Sequence, residues 1–313
     1  MSDVRHVTVE AAACGQRIDN YLARLLRKLP RSRIYRMLRS GEVRVDGHRV
    51  KPAFRLAGGE TVRIPPVTVA QAAQARPPRA VIESLQRRIV HSGSDFLVLD
   101  KPAGLAVHAG SGVAFGVIDA LRAAASGDGA TFLELVHRLD RDTSGLLLVA
   151  KNPRSLKELQ EIFKQRRIEK TYRLLVHGRW AATARRVDAS LLRTVTPGGE
   201  RRVRVDESAG QSAVTNFRLV EAGDRVSTLD ASLLTGRTHQ IRVHATTTGF
   251  PLVGDSKYGE TTTAEDEVDR AAGRLCLHAR ELRFDFSGRS HHFQSPVPAV
   301  FAALQARFGG GAA

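Results

Sequence analysis

A chain of 313 residues with 48 Lys and Arg against 32 Asp and Glu, a net charge of +16, suits about two domains and a polyanionic partner rather than an acidic small molecule. No apolar run approaches the roughly 18 residues of a membrane span, and the first thirty residues lack the apolar core of a secretory leader, so a cytoplasmic location away from membranes is expected. Cys14 and Cys276 have no CxxC partner and read as free thiols in a reducing compartment, which argues against a disulfide or a zinc site.

The charge is uneven. Residues 1–65 hold 14 basic and 6 acidic side chains, a balance of +8 and half of the total, which marks this segment as a separate binding module. Within it GQRIDNYLARLLRKL spaces Ile18, Leu22, Leu25 and Leu26 for a helix, and SRIYRMLRSG predicts a second helix ending at Gly41. VRVDGHRV alternates Val43, Val45 and Val50 about Asp46-Gly47, the signal of a two-residue hairpin. On the second helix Arg33, Arg36 and Arg39 recur every three residues, and with Arg44 and Lys51 they form a basic edge suited to phosphates. Residues 66–84, rich in Pro, Ala and Gln, are expected to be a linker to a larger domain, 85–313.

In that domain short Val- and Leu-rich runs at 95–99, 146–150, 172–177, 214–220 and 227–234 alternate with helices near 116–125 and 154–165, which is an α+β pattern. The glycine-rich AGSGVAFG, 109–116, lacks the Lys-Ser/Thr of a phosphate-binding loop and a dinucleotide spacing, so no nucleotide cofactor is assigned to it. His108, His239 and His244 come from unrelated stretches and are read as structural rather than as metal ligands. The terminal GGGAA reads as a frayed tail.

The most informative run is HRLDRDTSGLLLVAK, 137–151, where Asp140 precedes a tight Thr143-Ser144-Gly145 corner and a continuous apolar strand. A rigidly supported carboxylate beside Arg138 can serve as a nucleophile or a general base. A second glycosidase carboxylate at Asp142 is disfavoured, because opposed carboxylates must lie across the sugar, and turn formation is its expected role. Beside a carboxylate-dependent enzyme of another class, a nucleoside or glycoside hydrolase and a non-catalytic RNA-binding or ribosome-assembly factor remain open on the residues.

HRLDRDTSGLLLVAK resembles the signature loop of the RluA-type RNA pseudouridine synthases, and LVLDKPAGLAVHAG, EKTYRLLVHG, TGRTHQIRVH and GDSKYG follow that family's order across about residues 85–300. The helix, helix, hairpin order of the basic module resembles an S4 RNA-binding domain. The resemblance implies a small S4 domain joined to a catalytic domain with a long, bent, mostly antiparallel mixed β-sheet and the cleft across its middle. It implies Asp140 as the catalytic aspartate, acting on the ribose by attack at the anomeric carbon or by removal of the neighbouring ring proton. It further implies Arg242 as the basic partner of that aspartate and Tyr172 as the aromatic face and hydroxyl beside the uracil. Arg138 and His137 should flank the pocket mouth and contact RNA, with Arg138 helping to occupy the space left by the extruded base. No cofactor or metal is implied, and the partner would be 23S rRNA or a large-subunit assembly intermediate, bound by a monomer.

Overall fold

The computed structural model describes residues 4–26, 29, 31–67, 76–110, 113–125, 132–196, 200–259 and 267–310. Much of the expected linker, two glycine-loop residues and the last three residues of the tail lie outside that set. The chain divides into two compact units, residues 1–74 and 75–313.

The first unit contains β1 (Arg5–Thr8), α1 (Ile18–Leu25), α2 (Arg31–Ser40), β2 (Arg44–Val45) and β3 (Thr61–Ile64). Ile18 and Leu22 on α1 and Ile34, Met37 and Leu38 on α2 recur at helical spacing and meet Val43, Val45, Val62 and Ile64 in one buried core. Gly41 closes α2 at φ +74°, a left-handed position that glycine takes without strain. The hairpin expectation needs correction. Asp46 and Gly47 do turn the chain at φ 47° and 78°, but the return limb makes one bridge, Val45 to His48, and the ladder partner of β2 is β3. The Asp46 carboxylate accepts from the Thr61 amide at 2.8 Å and the Asp46 amide donates to the Thr61 carbonyl at 2.9 Å, which draws β3 into the central place of a three-stranded sheet.

The second unit opens with α3 (Arg79–Gln86), inside the stretch expected as linker. Pro78 fixes the entry, and Val81, Ile82 and Leu85 pack into the main core, so residues 79–84 belong to this unit. There follow β4 (Ile89–Ser92), β5 (Phe96–Lys101), α4 (Val117–Ala125), β6 (Glu134–Leu135), β7 (Ser144–Ala150), α5 (Pro153–Lys164), β8 (Ile168–His177) and β9 (Ala184–Asp188). The rest are β10 (Leu191–Val195), β11 (Arg201–Val205), β12 (Val214–Glu221), β13 (Val226–Leu233), α6 (Gln240–Thr247), α7 (Glu267–Ala272), β14 (Leu277–Phe286), β15 (Arg289–Gln294) and α8 (Ala299–Phe308).

Among the described residues ten strands form one sheet, with order β4-β5-β7-β14-β8-β13-β12-β9 and with β15 and β6 paired to β14 and β7. All its pairs are antiparallel except β7 with β14, where Ser144 faces His278 and Gly145 faces Ala279. Strand β7 is buried throughout because both faces are covered: Leu147 and Val149 enter the core with α3 and α4, while Leu146, Leu148 and Ala150 pack with α5. Gly145 is required there, since a Cβ would lie 2.2 Å from the Ala279 carbonyl oxygen. The loop that ends in Ser144 is thereby pressed against β14 at the middle of the sheet.

Candidate active site

Asp140 sits in the turn before β7, closed by the Thr143 amide donating to the Asp140 carbonyl at 3.3 Å. A buried lysine holds this turn from below. The Lys101 ammonium donates to the carbonyls of Pro102, Leu105 and Arg141 at 2.8, 2.8 and 2.9 Å, tying the end of β5 to the residue after Asp140. Burial pulls the Lys101 ammonium down to about 7. The downstream end is tied by Ser144, whose Oγ lies 2.9 Å from His278 Nδ1 and accepts from Arg274 Nη2 at 2.6 Å.

Asp140 opens into a cavity of about 250 Å³ walled by the 137–143 loop, Phe163, Lys170 and Tyr172, Arg193, and the segment from Leu233 to Arg242. Its carboxylate is 20% exposed, so it is reachable from the cavity yet partly shielded from water. Tyr172 comes from the centre of β8; burial, and then the charge of Asp140, push its phenol above the ordinary range, so the hydroxyl keeps its proton.

Arg242 lies on α6 with Nη1 4.0 Å from Asp140 Oδ2, but its bidentate partner is Asp255, at 2.8 Å from Nε and 2.6 Å from Nη2. Asp255, which the sequence did not point to, takes the guanidinium's paired edge and leaves Nη1 toward Asp140, so Arg242 lies between two carboxylates. Asp255 also accepts from the Lys257 and Tyr258 amides at 3.0 and 3.1 Å, so the pair is anchored to the backbone. Burial opposes the Arg242 charge, yet the Asp255 carboxylate more than offsets it and holds the guanidinium above its usual value.

His239 enters the same group. Its Nε2 is 3.7 Å from Asp140 Oδ2, and its Nδ1 is 2.6 Å from the Tyr258 hydroxyl. That hydroxyl accepts from the Val203 amide at 3.0 Å. Burial lowers the His239 pKa in spite of Asp140, which favours the neutral ring. If the phenol donates to Nδ1, a neutral ring carries its proton on Nε2, the nitrogen nearer Asp140. His239 holds φ 54°, a left-handed conformation uncommon outside glycine, and Gln240 fixes the turn by bonding Thr235, Arg237, Val214 and Thr215.

The other expected residues divide. Arg138 is exposed on the cavity wall, whereas His137, although it lines the cavity, is committed inward: its Nε2 accepts from the Leu148 amide at 3.0 Å and its ring stacks on Phe163 at 4.8 Å. Burial, then the nearby Lys170 charge, lower His137 to about 3, so the ring stays neutral and braces the loop as an acceptor while one side of it faces the cavity. His244 bonds Thr215 and the Ala189 carbonyl, and no group of three His, Cys, Asp or Glu among the described residues is placed to hold a metal ion. In the first unit Arg36, Arg39, Arg44 and Lys51 are exposed, while Arg33 is engaged with Glu42 at 3.0 Å.

Sequence reasoning missed Lys101, His239, Tyr258 and Asp255 as members of the site. The motifs holding them, LDKPAG, RTHQIR and GDSKYG, were visible as strings. Their roles depend on side chains brought together by α6 and the 254–259 turn.

A polar cavity on a sheet, with one carboxylate facing an aromatic wall and two nitrogen-bearing groups, suits acid-base or nucleophilic work on a ring-shaped substrate. Residues 95–247 match the model of the family described as RNA pseudouridylate synthase, and residues 16–62 match the S4 domain. The chain is 44% identical over 298 residues, 94% of its length and 90% of the other's, to ribosomal large subunit pseudouridine synthase C of Pasteurella multocida. It is 42% identical to the Escherichia coli K12 protein of that name, over 94% of this chain and 93% of that one. Among solved structures, human RNA pseudouridylate synthase domain containing 1 superposes with a TM-score of 0.60 at 28% identity, covering 73% of this chain and 89% of the other. With this identity sustained over nearly the whole chain, the protein belongs to the RNA pseudouridylate synthase family and carries an S4 domain ahead of its catalytic domain.

Proposed function

We propose that this enzyme isomerises particular uridines of 23S rRNA to pseudouridine, with Asp140 as the group acting on the ribose. The observation that carries the reading is the juxtaposition of Asp140 with Tyr172, His239 and Arg242 around one cavity. The reaction breaks the bond from ribose to N1 of uracil, turns the base and rejoins it through carbon 5, so the proton at carbon 5 leaves and N1 gains one. Nothing is oxidised, and no water or phosphoryl group is consumed.

The target nucleotide must leave its stack to reach Asp140. Once in the cavity, its uracil packs on the Tyr172 ring, and Asp140 either attacks the anomeric carbon or removes the neighbouring ring proton. Arg242, braced by Asp255, and the His239 Nε2–H hold the carboxylate in place as charge develops on the sugar and the base. The Tyr172 hydroxyl, which keeps its own proton, assists by relaying: it takes up the carbon 5 proton as it passes its own to the Asp140 carboxylate, free again once the base has rejoined the sugar.

Large-subunit rRNA is the favoured substrate because relatives that share 42% and 44% of their residues with this chain bear that description. The basic S4 module then docks rRNA or a large-subunit assembly intermediate through phosphates, with Arg36, Arg39, Arg44 and Lys51 as contacts and Arg138 at the cavity mouth. The enzyme is read as a cytoplasmic monomer that needs no cofactor. Mapping pseudouridine in 23S rRNA from a strain lacking the gene, with and without a restoring copy, tests this. Sites should vanish and return; an unchanged large-subunit map would overturn the assignment of substrate.

A further inference from the structure

Beside the cavity that holds Asp140 lies a second one of about 750 Å³, and the two share a wall made by the catalytic turn and Arg242. Asp140 lines the first cavity; Arg141 and Asp142, the next two residues, line the second. Its far side is built from the Gly254–Ser256 turn, Asp269 and Arg270 on α7, and Gly273–Leu275.

The charges in this wall can be paired off. Asp255 is committed to Arg242 and two amides. Asp269 Oδ1 accepts from the Gly254 amide at 2.6 Å and lies 2.8 Å from His177 Nε2. Asp142 pairs with Arg141 at 3.1 Å, an exposed contact of little energetic weight. Arg270 and Arg274 remain, and among the described residues neither has a carboxylate within ion-pair distance. Arg274 is half-buried, and it spends Nε on the Leu275 carbonyl and one Nη2 proton on Ser144, which leaves Nη1 uncommitted among the described residues. Its guanidinium lies 5.9 Å from the centre of the Phe301 ring, and with no carboxylate on its open Nη1 edge among the described residues that edge is available to an anionic occupant of the cavity. Burial pulls the Arg274 guanidinium below its usual value, opposed in part by Cys276 and Asp100.

We propose that this second cavity is a phosphate subsite, in which Arg270 and Arg274 grip a phosphodiester of the RNA strand adjoining the nucleotide held by Asp140. The inference rests on the functional reading above, since it needs an RNA strand in the first cavity. Two neighbouring residues facing two cavities would divide a strand in the same way, with the reacting nucleoside on the Asp140 side and the flanking phosphate on the Arg141 side. Planar guanidinium forks match phosphate oxygens, which a lone ammonium would meet only as a point charge.

The test pairs protein and RNA changes. A short RNA containing the target uridine is prepared with single uncharged methylphosphonate linkages on either side of it, and affinity is measured for the full-length protein and for Arg270→Ala, an exposed position. One linkage should weaken wild-type binding about tenfold, the scale of one charge-assisted hydrogen bond, and Arg270→Ala should weaken binding of native RNA similarly. Combined, the two losses should not multiply, and the salt slope of Arg270→Ala should fall by about 0.7. Losses that multiply at every linkage, with an unchanged slope, would overturn the proposal. So would saturable binding of inorganic phosphate, abolished by Arg270→Ala, in a protein whose RNA affinity ignores every neutral linkage, because the cavity would then serve a free anion. Pseudouridine formation by the wild-type protein is followed in parallel; its absence would indict the functional reading, whereas the affinities judge the subsite.

Discussion

Replacing Arg242 by Met should separate two roles that one side chain combines. Asp255 is fully buried, and without Arg242 its carboxylate would keep only the Lys257 and Tyr258 amides. Removing one partner of a buried ion pair costs about 3–5 kcal/mol. A domain with a total stability of about 5–15 kcal/mol would be left marginal. Arg242→Met/Asp255→Asn removes the stranded charge while the amide oxygen still serves the two backbone donors, so about half of the lost stability should return. Turnover should not return. The charges of Arg242 and Asp140, 4.0 Å apart, attract by about 4 kcal/mol at an effective dielectric constant of about 20, so up to about a thousandfold in rate depends on that placement. Urea denaturation and pseudouridine formation, measured on the single and double variants, read the two roles independently. A double variant that regains turnover would show that Arg242 serves only to neutralise Asp255, and a single variant as stable as the double would refute the stranded-charge argument.

Other outcomes follow from the same geometry. His137 stays neutral in the folded state down to about pH 3, whereas the unfolded chain protonates it near 6.5, so its contribution is present above that value and is lost as pH falls, by about 1.4 kcal/mol per unit. The stability gap between wild type and His137→Gln should therefore narrow by about 2 kcal/mol between pH 7 and pH 5 in urea melts, and a pH-independent gap would contradict the assignment. Tyr172→Phe keeps the ring and should bind RNA normally while product formation collapses; undiminished product would leave Tyr172 only a packing role. Replacing Arg36, Arg39 and Lys51 with Ala should flatten the dependence of log affinity for rRNA on log salt by about 2 to 3 units, and an unaltered slope would remove the S4 module as the docking element.

The reach of the sequence ended where tertiary pairing began. The apolar run of β7 and the Thr143-Ser144-Gly145 corner were legible because both are local: a strand covered on two faces needs no polar alternation, and the corner needs glycine against β14. Asp255 stands 13 residues after Arg242, and nothing in their spacing announces that α6 and the following turn bring them within 2.6 Å. His137 adjoins Asp140 in sequence, but the backbone stacks its ring on Phe163 and directs its Nε2 to the Leu148 amide, contacts that no local pattern announces. The Asp46-Gly47 turn was read correctly, and its ladder partner was not, because the Asp46 carboxylate captures a strand 15 residues downstream. Helix α3 was hidden by its Pro- and Ala-rich context; only contact with the core distinguishes Val81, Ile82 and Leu85 from linker.

The proposed reaction depends on Asp140, and Asp140→Asn tests that dependence most directly because the change keeps the side chain's shape and removes its charge. Purified wild-type and variant proteins are assayed on a 23S rRNA fragment for pseudouridine formation, with RNA affinity and urea stability measured alongside. The variant should fold and bind as the wild type does and form no pseudouridine. Retained turnover in a folded, RNA-binding Asp140→Asn protein would contradict the assignment of this carboxylate as the group that acts on the ribose.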